Sequence, residues 1–309
     1  MTSAIKLKVV GIGGSGGNAV SRMKKCKIQG VELIALNTDA QDLSKIDADV
    51  KIRIGGKLTQ GLGAGMNPEI GKKSALESRE EIAKALQGAD MIFITCGLGG
   101  GTGTGASPIV AEVAKETGAL VLAVVTKPFS FEGQVRQRIA EEGYQKLKEK
   151  VDTLISISND KLLSILDPDI PLINAFWICD DTLKQAVQGI SDLISLPGII
   201  NIDFADVKAI MSDSGTALFG VGRAQGEGRA KKAAMAAINS PLLDISIKGA
   251  KGILFNISGG KDISLVEIDE LAKVITQEIN PGARIIFGAI QDEKLKKGEI
   301  KVTAIATGF

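Results

Sequence analysis

In the first half of the chain, short unbroken apolar runs alternate with longer stretches whose apolar residues recur every three or four positions. The runs predict strands over about 6–10, 32–37, 51–54, 90–95, 120–126 and 153–156. The periodic stretches predict helices over about 18–27, 68–86, 106–116 and 133–150. Strand and helix in alternation is the pattern of a mostly parallel sheet covered on both faces. Ligands collect at the carboxyl ends of such strands.

A longer periodic stretch follows over about Leu172–Leu196. Phe176, Cys179, Leu183, Val187, Ile190 and Ile194 form one stripe, read most simply as core packing, and Pro197-Gly198 ends the helix. The last third has another rhythm, with a helix near Phe204–Met211 and then strands and helices ending in Lys301–Thr307. Gly215–Gly228 is glycine-rich, yet Thr216–Val221 keeps strand character. About 205–309 therefore reads as a second, α+β domain, with the long helix as connector.

The length of 309 residues allows about two domains. A balance of 37 basic against 36 acidic residues predicts no general pull toward nucleic acid or anionic lipid. Histidine is absent, which removes imidazole acid–base chemistry and disfavours a catalytic zinc site. Cys26, Cys96 and Cys179 form no C-x-x-C and read as small core residues in a reducing compartment. No secretory signal or run of about eighteen apolar residues is seen, so a cytoplasmic protein without membrane insertion is expected.

Candidate chemistry lies at two strand ends. The run Asp90–Cys96 leads into Gly99-Gly100-Gly101-Thr102-Gly103-Thr104-Gly105 and then a helix. Glycine permits close approach and positive φ, and a helix start offers unpaired N–H donors, so this segment can cradle a phosphate. No G-x-x-x-x-G-K-[ST] occurs, so it is not a Walker loop. The first strand runs into Gly11-Ile12-Gly13-Gly14-Ser15-Gly16-Gly17-Asn18, which contains G-x-G-x-x-G, with Asp39 near the place of a ribose-binding acid. A nicotinamide oxidoreductase is the rival reading of that motif. Two cradles suit a longer phosphate chain better than one pyrophosphate, and no Tyr-x-x-x-Lys pair is apparent.

Gly99–Gly105 resembles the tubulin-superfamily signature G-G-G-T-G-[ST]-G. Gly11–Asn18, Asn37-Thr38-Asp39-Ala40, Gly61–Gly65, Thr126–Gly133 and Asn201–Asp206 resemble, in order and across essentially the whole chain, the FtsZ family of bacterial cell-division GTPases. The resemblance implies a tubulin-like α/β architecture. A Rossmann-like parallel-sheet GTPase domain (1–171) is joined by a central helix and acidic loop (172–204) to a smaller α+β domain (205–309). It implies GTP/GDP as ligand, with Mg²⁺ bound mainly through the phosphates and a place for a monovalent cation. Gly13, Gly14, Ser15, Gly16, Gly17, Asn18, Gly101, Thr102, Gly103 and Thr104 would hold phosphates, with Asn18 also close to the base. Asn37, Ala64 and Gly65 would line the phosphate side. Glu132 and Arg136 would contact ribose and base, Phe176 would lie against guanine, and Asp180 would accept from its N1–H and N2–H₂. A carboxylate suits guanine and faces the acceptor N1 of adenine badly. An ordinary i, i+4 pair is the competing account of Glu132 and Arg136. Two departures stand out: Ser15 in a run commonly all glycine, which fits if its φ is negative, and the bulkier Trp177-Ile178-Cys179.

The acidic loop Asn201-Ile202-Asp203-Phe204-Ala205-Asp206 reads locally as a helix start capped by Asp203. From Asp180 to Leu196 the chain takes sixteen helical steps, about 24 Å. A loop so far from the base in its own subunit points to a neighbour's nucleotide, and such a heterologous contact builds filaments. The resemblance implies the same head-to-tail assembly, with Asn201, Asp203 and Asp206 as the catalytic set that orients water on the adjoining subunit's GTP. It also implies a midcell ring with accessory and membrane-tethering partners, although the chain ends at Phe309, where the family's globular part ends and a linker and tail follow. Other superfamily roles, in cell shape or plasmid partition, and a nucleotide-binding scaffold without turnover stay open at this point.

Overall fold

The computed structural model describes residues 5–28, 30–163, 169–195, 198–240, 247–292 and 295–309. The chain divides into two units, Met1–Gln188 and Gly189–Phe309.

The first unit is built on six strands: β1 (Leu7–Ile12), β2 (Val31–Asn37), β3 (Val50–Arg53), β4 (Met91–Gly97), β5 (Leu120–Lys127) and β6 (Thr153–Ser158). All neighbours are parallel, in the order β3-β2-β1-β4-β5-β6. The strands are continuous apolar runs because helices cover both faces: in β4 every residue but the last is buried. Val10, Ile34, Ile92, Ile94, Val121 and Val125 pack with Val110, Ala114 and Leu147 from the helices into one core. The order reverses between β1 and β4, where Ile12 is in register with Cys96. Both glycine segments thus leave the sheet side by side at its topological switch point.

Three helical stretches differ from expectation. The stretch 68–86 is not one helix but two, Pro68–Glu77 and Arg79–Leu86, meeting at Ser78. The Ser78 hydroxyl accepts the Gly55 N–H at 3.2 Å, and the Glu77 carboxylate accepts the Lys57 and Leu58 N–H groups. The break therefore serves a distant loop. Helices Gly13–Lys25 and Thr102–Glu116 begin four to five residues earlier than the periodicity indicated, inside the glycine runs themselves.

The helix Leu172–Ser195 contains the boundary between the units. Cys179, Leu183, Val187 and Ile190 are buried as its stripe predicts, whereas Phe176 is 40% exposed. Leu196 and Pro197, the expected end and stop, lie outside the described residues.

In the second unit, β7 (Gly215–Gln225), β8 (Gly252–Gly259), β9 (Arg284–Gln291) and β10 (Glu299–Thr307) run in the order β7-β10-β8-β9. β10 is antiparallel to both its neighbours, and β8 and β9 are parallel. Helices Arg229–Ile238 and Leu265–Gln277 cover this sheet through Ala233, Ala237, Leu271 and Ile275. The glycine-rich stretch is indeed strand, β7.

Candidate functional site

The chain leaves β1 directly into helix Gly13–Lys25, and leaves β4 through the short turn 98–101 into helix Thr102–Glu116. Neither helix has a side-chain cap or an acidic residue in its first turn. Elsewhere Asp39, Asn67, Asp203 and Ser264 cap their helices with side-chain oxygens. Two uncapped helix starts side by side leave their N–H groups and positive dipole ends for an anion. Gly13 and Gly99 adopt φ of +72° and +101°, which makes these turns possible. Ser15 lies within the first helix and has no positive φ, so its side chain fits.

These helix starts border a cavity of about 420 Å³. It gathers Gly13, Gly14, Ser15, Asn18, Gly65, Gly101, Thr102, Gly103, Glu132, Arg136, Phe176 and Asp180 from the expected set. The remaining expected residues of the first unit do not line it. Gly16 and Gly17 pack behind it, where an added Cβ would meet the Thr95 carbonyl at 2.4 Å and Ile46 at 3.0 Å. Thr104 Oγ1 accepts the Gly99 N–H at 2.9 Å and so braces the loop from within. Asn37 donates to Asp42 at 2.8 Å and accepts from the Asp39 N–H. Ala64 is buried beside Gly65, whose carbonyl accepts the Gly101 N–H at 2.8 Å. Thr102 and Thr38 share a hydroxyl contact of 2.6 Å.

At the other end of the cavity, Glu132 Oε1 accepts the Phe129 N–H at 2.8 Å and Oε2 pairs with Arg136 Nη1 at 2.9 Å. Phe129 meets Phe176 edge to face at 5.4 Å, which fixes the half-exposed ring. Asp180 is buried, and burial pushes its carboxyl up to about 6, against the lowering influence of Arg22.

Three features at or beside the cavity do not follow from the sequence reading. Arg22 lies against Asp180, with Nη2 3.3 Å and Nε 3.4 Å from Oδ2. Its position one helical turn beyond Asn18 was the available signal. Asn159 follows β6, which runs two residues beyond the expected end; its Oδ1 is buried without a partner among the described residues. Arg136 Nε is likewise buried and unpartnered among the described residues. Both residues line the cavity, so donors and acceptors there await a polar ligand.

Asn201, Asp203 and Asp206 belong to the second unit and border a separate cavity or cap a helix. Asn201 and Asp206 line a space of about 480 Å³ with Ile202 and Arg284–Phe287. Asn201 Oδ1 accepts the Gly198 N–H at 2.7 Å, and Asp203 accepts the Ala205 N–H at 3.1 Å as the cap of helix Phe204–Met211. Asp206 is exposed.

The family model of the Tubulin/FtsZ GTPase domain matches residues 6–167, the whole glycine-cradle sheet, and that of the FtsZ C-terminal domain matches 215–309. The chain belongs to the Tubulin/FtsZ family. It is accordingly a GTPase, and guanine nucleotide replaces the nicotinamide cofactor of the rival reading. An empty FtsZ dimer from M. jannaschii is 49% identical, covering 100% of this chain and 89% of that one at a TM-score of 0.95. A tryptophan-to-tyrosine mutant of FtsZ from M. jannaschii is 50% identical over 99% of this chain and 92% of that one, also at 0.95. CetZ2 from Haloferax volcanii, a GTPγS-bound protofilament, is 21% identical over 98% and 92% at 0.82 and shows the fold alone.

Proposed function

We propose that the chain assembles head to tail and hydrolyses GTP at sites completed by the acidic loop of the next subunit. The observation that carries this is the division of chemistry between the units. The uncapped cradle lines a cavity of the first unit, while Asp206 lies in the second with an exposed carboxylate that makes no hydrogen bond or ion pair among the described residues. The dimer form of the related FtsZ supports self-association.

In this reading Gly13, Gly14, Ser15, Asn18, Gly101, Thr102 and Gly103 bind the phosphates with Gly65 beside them, while Gly16, Gly17 and Thr104 shape the two loops and Asn37 and Ala64 support them from outside the cavity. Glu132, Arg136, Phe176 and Asp180 bind ribose and base. The backbone N–H groups of the two helix starts offset charge developing on the phosphoryl oxygens. Asp206 orients and polarises the attacking water; Asn201 and Asp203, expected in the same catalytic set, accept the Gly198 and Ala205 N–H groups and so hold the loop. Mg²⁺ would be carried on the phosphates and would supply charge neutralisation there. A monovalent cation is assigned to the same neighbourhood.

The cellular role assigned is division, at a midcell ring in the cytoplasm, with accessory and membrane-tethering partners. The related FtsZ structures come from M. jannaschii, so the archaeal setting is included beside the bacterial one. No helix among the described residues is long and apolar enough to cross a membrane.

Phosphate release measured across protein concentration, together with light scattering, tests the reading. Turnover per subunit should climb with concentration as scattering appears. Constant turnover per subunit through the assembly range would overturn the shared site.

A further inference from the structure

The phosphate cradle leaves Arg22 and Trp177 without a role. Arg22 projects from helix Gly13–Lys25 so that its guanidinium carbon stands 5.0 Å from the centre of the Trp177 ring. Its Nε and Nη2 point to one oxygen of Asp180, at 3.4 and 3.3 Å, while the Ser15 hydroxyl stands 3.5 Å from the other. Trp177 is half exposed and the Arg22 side chain about a quarter exposed, at 24%, while that of Asp180 is 9% exposed. A cation stacked on an indole is thereby held at the mouth of a buried carboxylate.

We propose that Arg22, clamped by Trp177, is the positioning and specificity residue of the base subsite, holding the Asp180 carboxylate charged and aimed at guanine. This rests on the reading that the base lies at Asp180. Only an ionised carboxylate can accept from N1–H and N2–H₂ together; a protonated one keeps one good acceptor. The contacts of 3.3–3.4 Å are longer than the about 2.7–2.9 Å of a tight charge-assisted bond, so Asp180 stays free to turn toward a base.

The surroundings offer no substitute for Arg22. On its own helix Asp180 is followed by Asp181, which disfavours its charge and is itself tied to Lys184 and Gln185. Cys179 on the other side is held protonated, its thiol pushed up to about 12 by burial with Asp180 and Glu132 adding to the rise. Glu132 is paired with Arg136. Ser15 contributes one hydroxyl. Even with Arg22 present, burial brings Asp180 to about 6. Without it the carboxyl rises further, into the range where the protein works.

The experiment is calorimetric binding of GDP and IDP from pH 5.5 to 8.5, for the unmodified chain, Arg22→Met, Arg22→Lys, Trp177→Leu and Asp180→Asn. IDP lacks the N2 amino group. The unmodified chain should bind GDP evenly at the alkaline end and lose about tenfold per pH unit once below the Asp180 midpoint. Arg22→Met should move that midpoint upward by roughly one unit and shrink the GDP preference over IDP several-fold. Arg22→Lys should restore the midpoint, and Trp177→Leu should shift it part of the way. A binding-competent Arg22→Met chain with an unmoved midpoint and unchanged GDP/IDP ratio overturns the proposal. Should Arg22→Met fail to fold, an unmoved midpoint in Trp177→Leu overturns it equally. If Asp180→Asn binds GDP as the unmodified chain does, with no pH dependence in either, the base is not at Asp180 and the underlying reading fails.

Discussion

Glu132 and Arg136 meet at 2.9 Å across the Gly133 turn that joins a 3-10 turn to helix Gln134–Lys148, yet Nε of the guanidinium stays buried without a partner among the described residues. The expected i, i+4 helix pair is instead an ion pair across a helix start, with an unsatisfied donor lining a cavity on its other side. Arg136→Met removes a half-exposed ion pair, worth at most about 1 kcal/mol in a urea unfolding curve. If Nε donates to the bound nucleotide, the same change weakens GDP binding by about tenfold or more, the scale of a charged hydrogen bond. Equal GDP affinity in the two proteins, read by calorimetry, would reduce the residue to a surface pair.

The six parallel strands were legible because burial on both faces leaves unbroken apolar runs, as in Met91–Cys96. The helix starts were not, since Gly13 and Thr102 open helices inside sequence that local propensity assigns to loop. What wins there is close packing: a Cβ at Gly105 would stand 1.9 Å from the Pro68 carbonyl oxygen. Ser78 breaks a helix for the sake of Gly55, twenty-three residues away, which no local pattern reports. Most of the base and phosphate residues could be proposed from motif blocks. Arg22 acts through a side-chain meeting with Asp180, 158 residues further on, and that meeting exists only in three dimensions.

Two glycines of the same run should behave oppositely. Gly105→Ala forces the start of helix Pro68–Glu77 to move and should cost about 1–3 kcal/mol or more in urea denaturation. Gly100 has open space around it and no positive φ, so Gly100→Ala should leave stability unchanged or raise it by up to about 1 kcal/mol. Gly100 nevertheless lines the cavity, and its new methyl should weaken nucleotide binding by about tenfold. A Gly100→Ala chain of normal stability and normal GDP affinity would move the phosphates away from this loop.

Acid should weaken the second unit through one network. Arg229 is buried and holds Glu267 by two contacts, at 2.6 and 3.0 Å, and Asp262 by a third at 2.6 Å. The Arg229 contacts, first its hydrogen bonds, bring the Glu267 carboxyl down to about 2 from its ordinary 4.5. A lowered carboxyl stabilises the fold in full above the unfolded value and loses that contribution as pH falls from 4.5 toward 2. Glu267→Gln should therefore be less stable at neutral pH, by less than the about 3–5 kcal/mol of a fully broken buried pair because Asp262 remains. The two proteins should converge near the acid end of that window. Parallel stability curves, with a constant gap down to pH 2, would mean the pair is not what acid disrupts.

Asp203 and Asp206 separate a structural from a chemical duty within one turn. Asp203 caps helix Phe204–Met211, so Asp203→Ala should cost about 1 kcal/mol of stability. Asp206 is exposed and makes no side-chain hydrogen bond or ion pair among the described residues, so Asp206→Ala should change stability by at most about 0.5 kcal/mol. Under the shared-site reading, Asp206→Ala still binds GTP but presents a dead loop to its neighbour. An Asp180→Ala chain has the complementary defect, an intact loop beside a damaged base subsite. Each alone should release little phosphate. Mixed, the loop of one chain meets the bound GTP of the other, and turnover should return. Were loop and nucleotide to act within one subunit, mixing would restore nothing, because no chain in the mixture holds both halves intact.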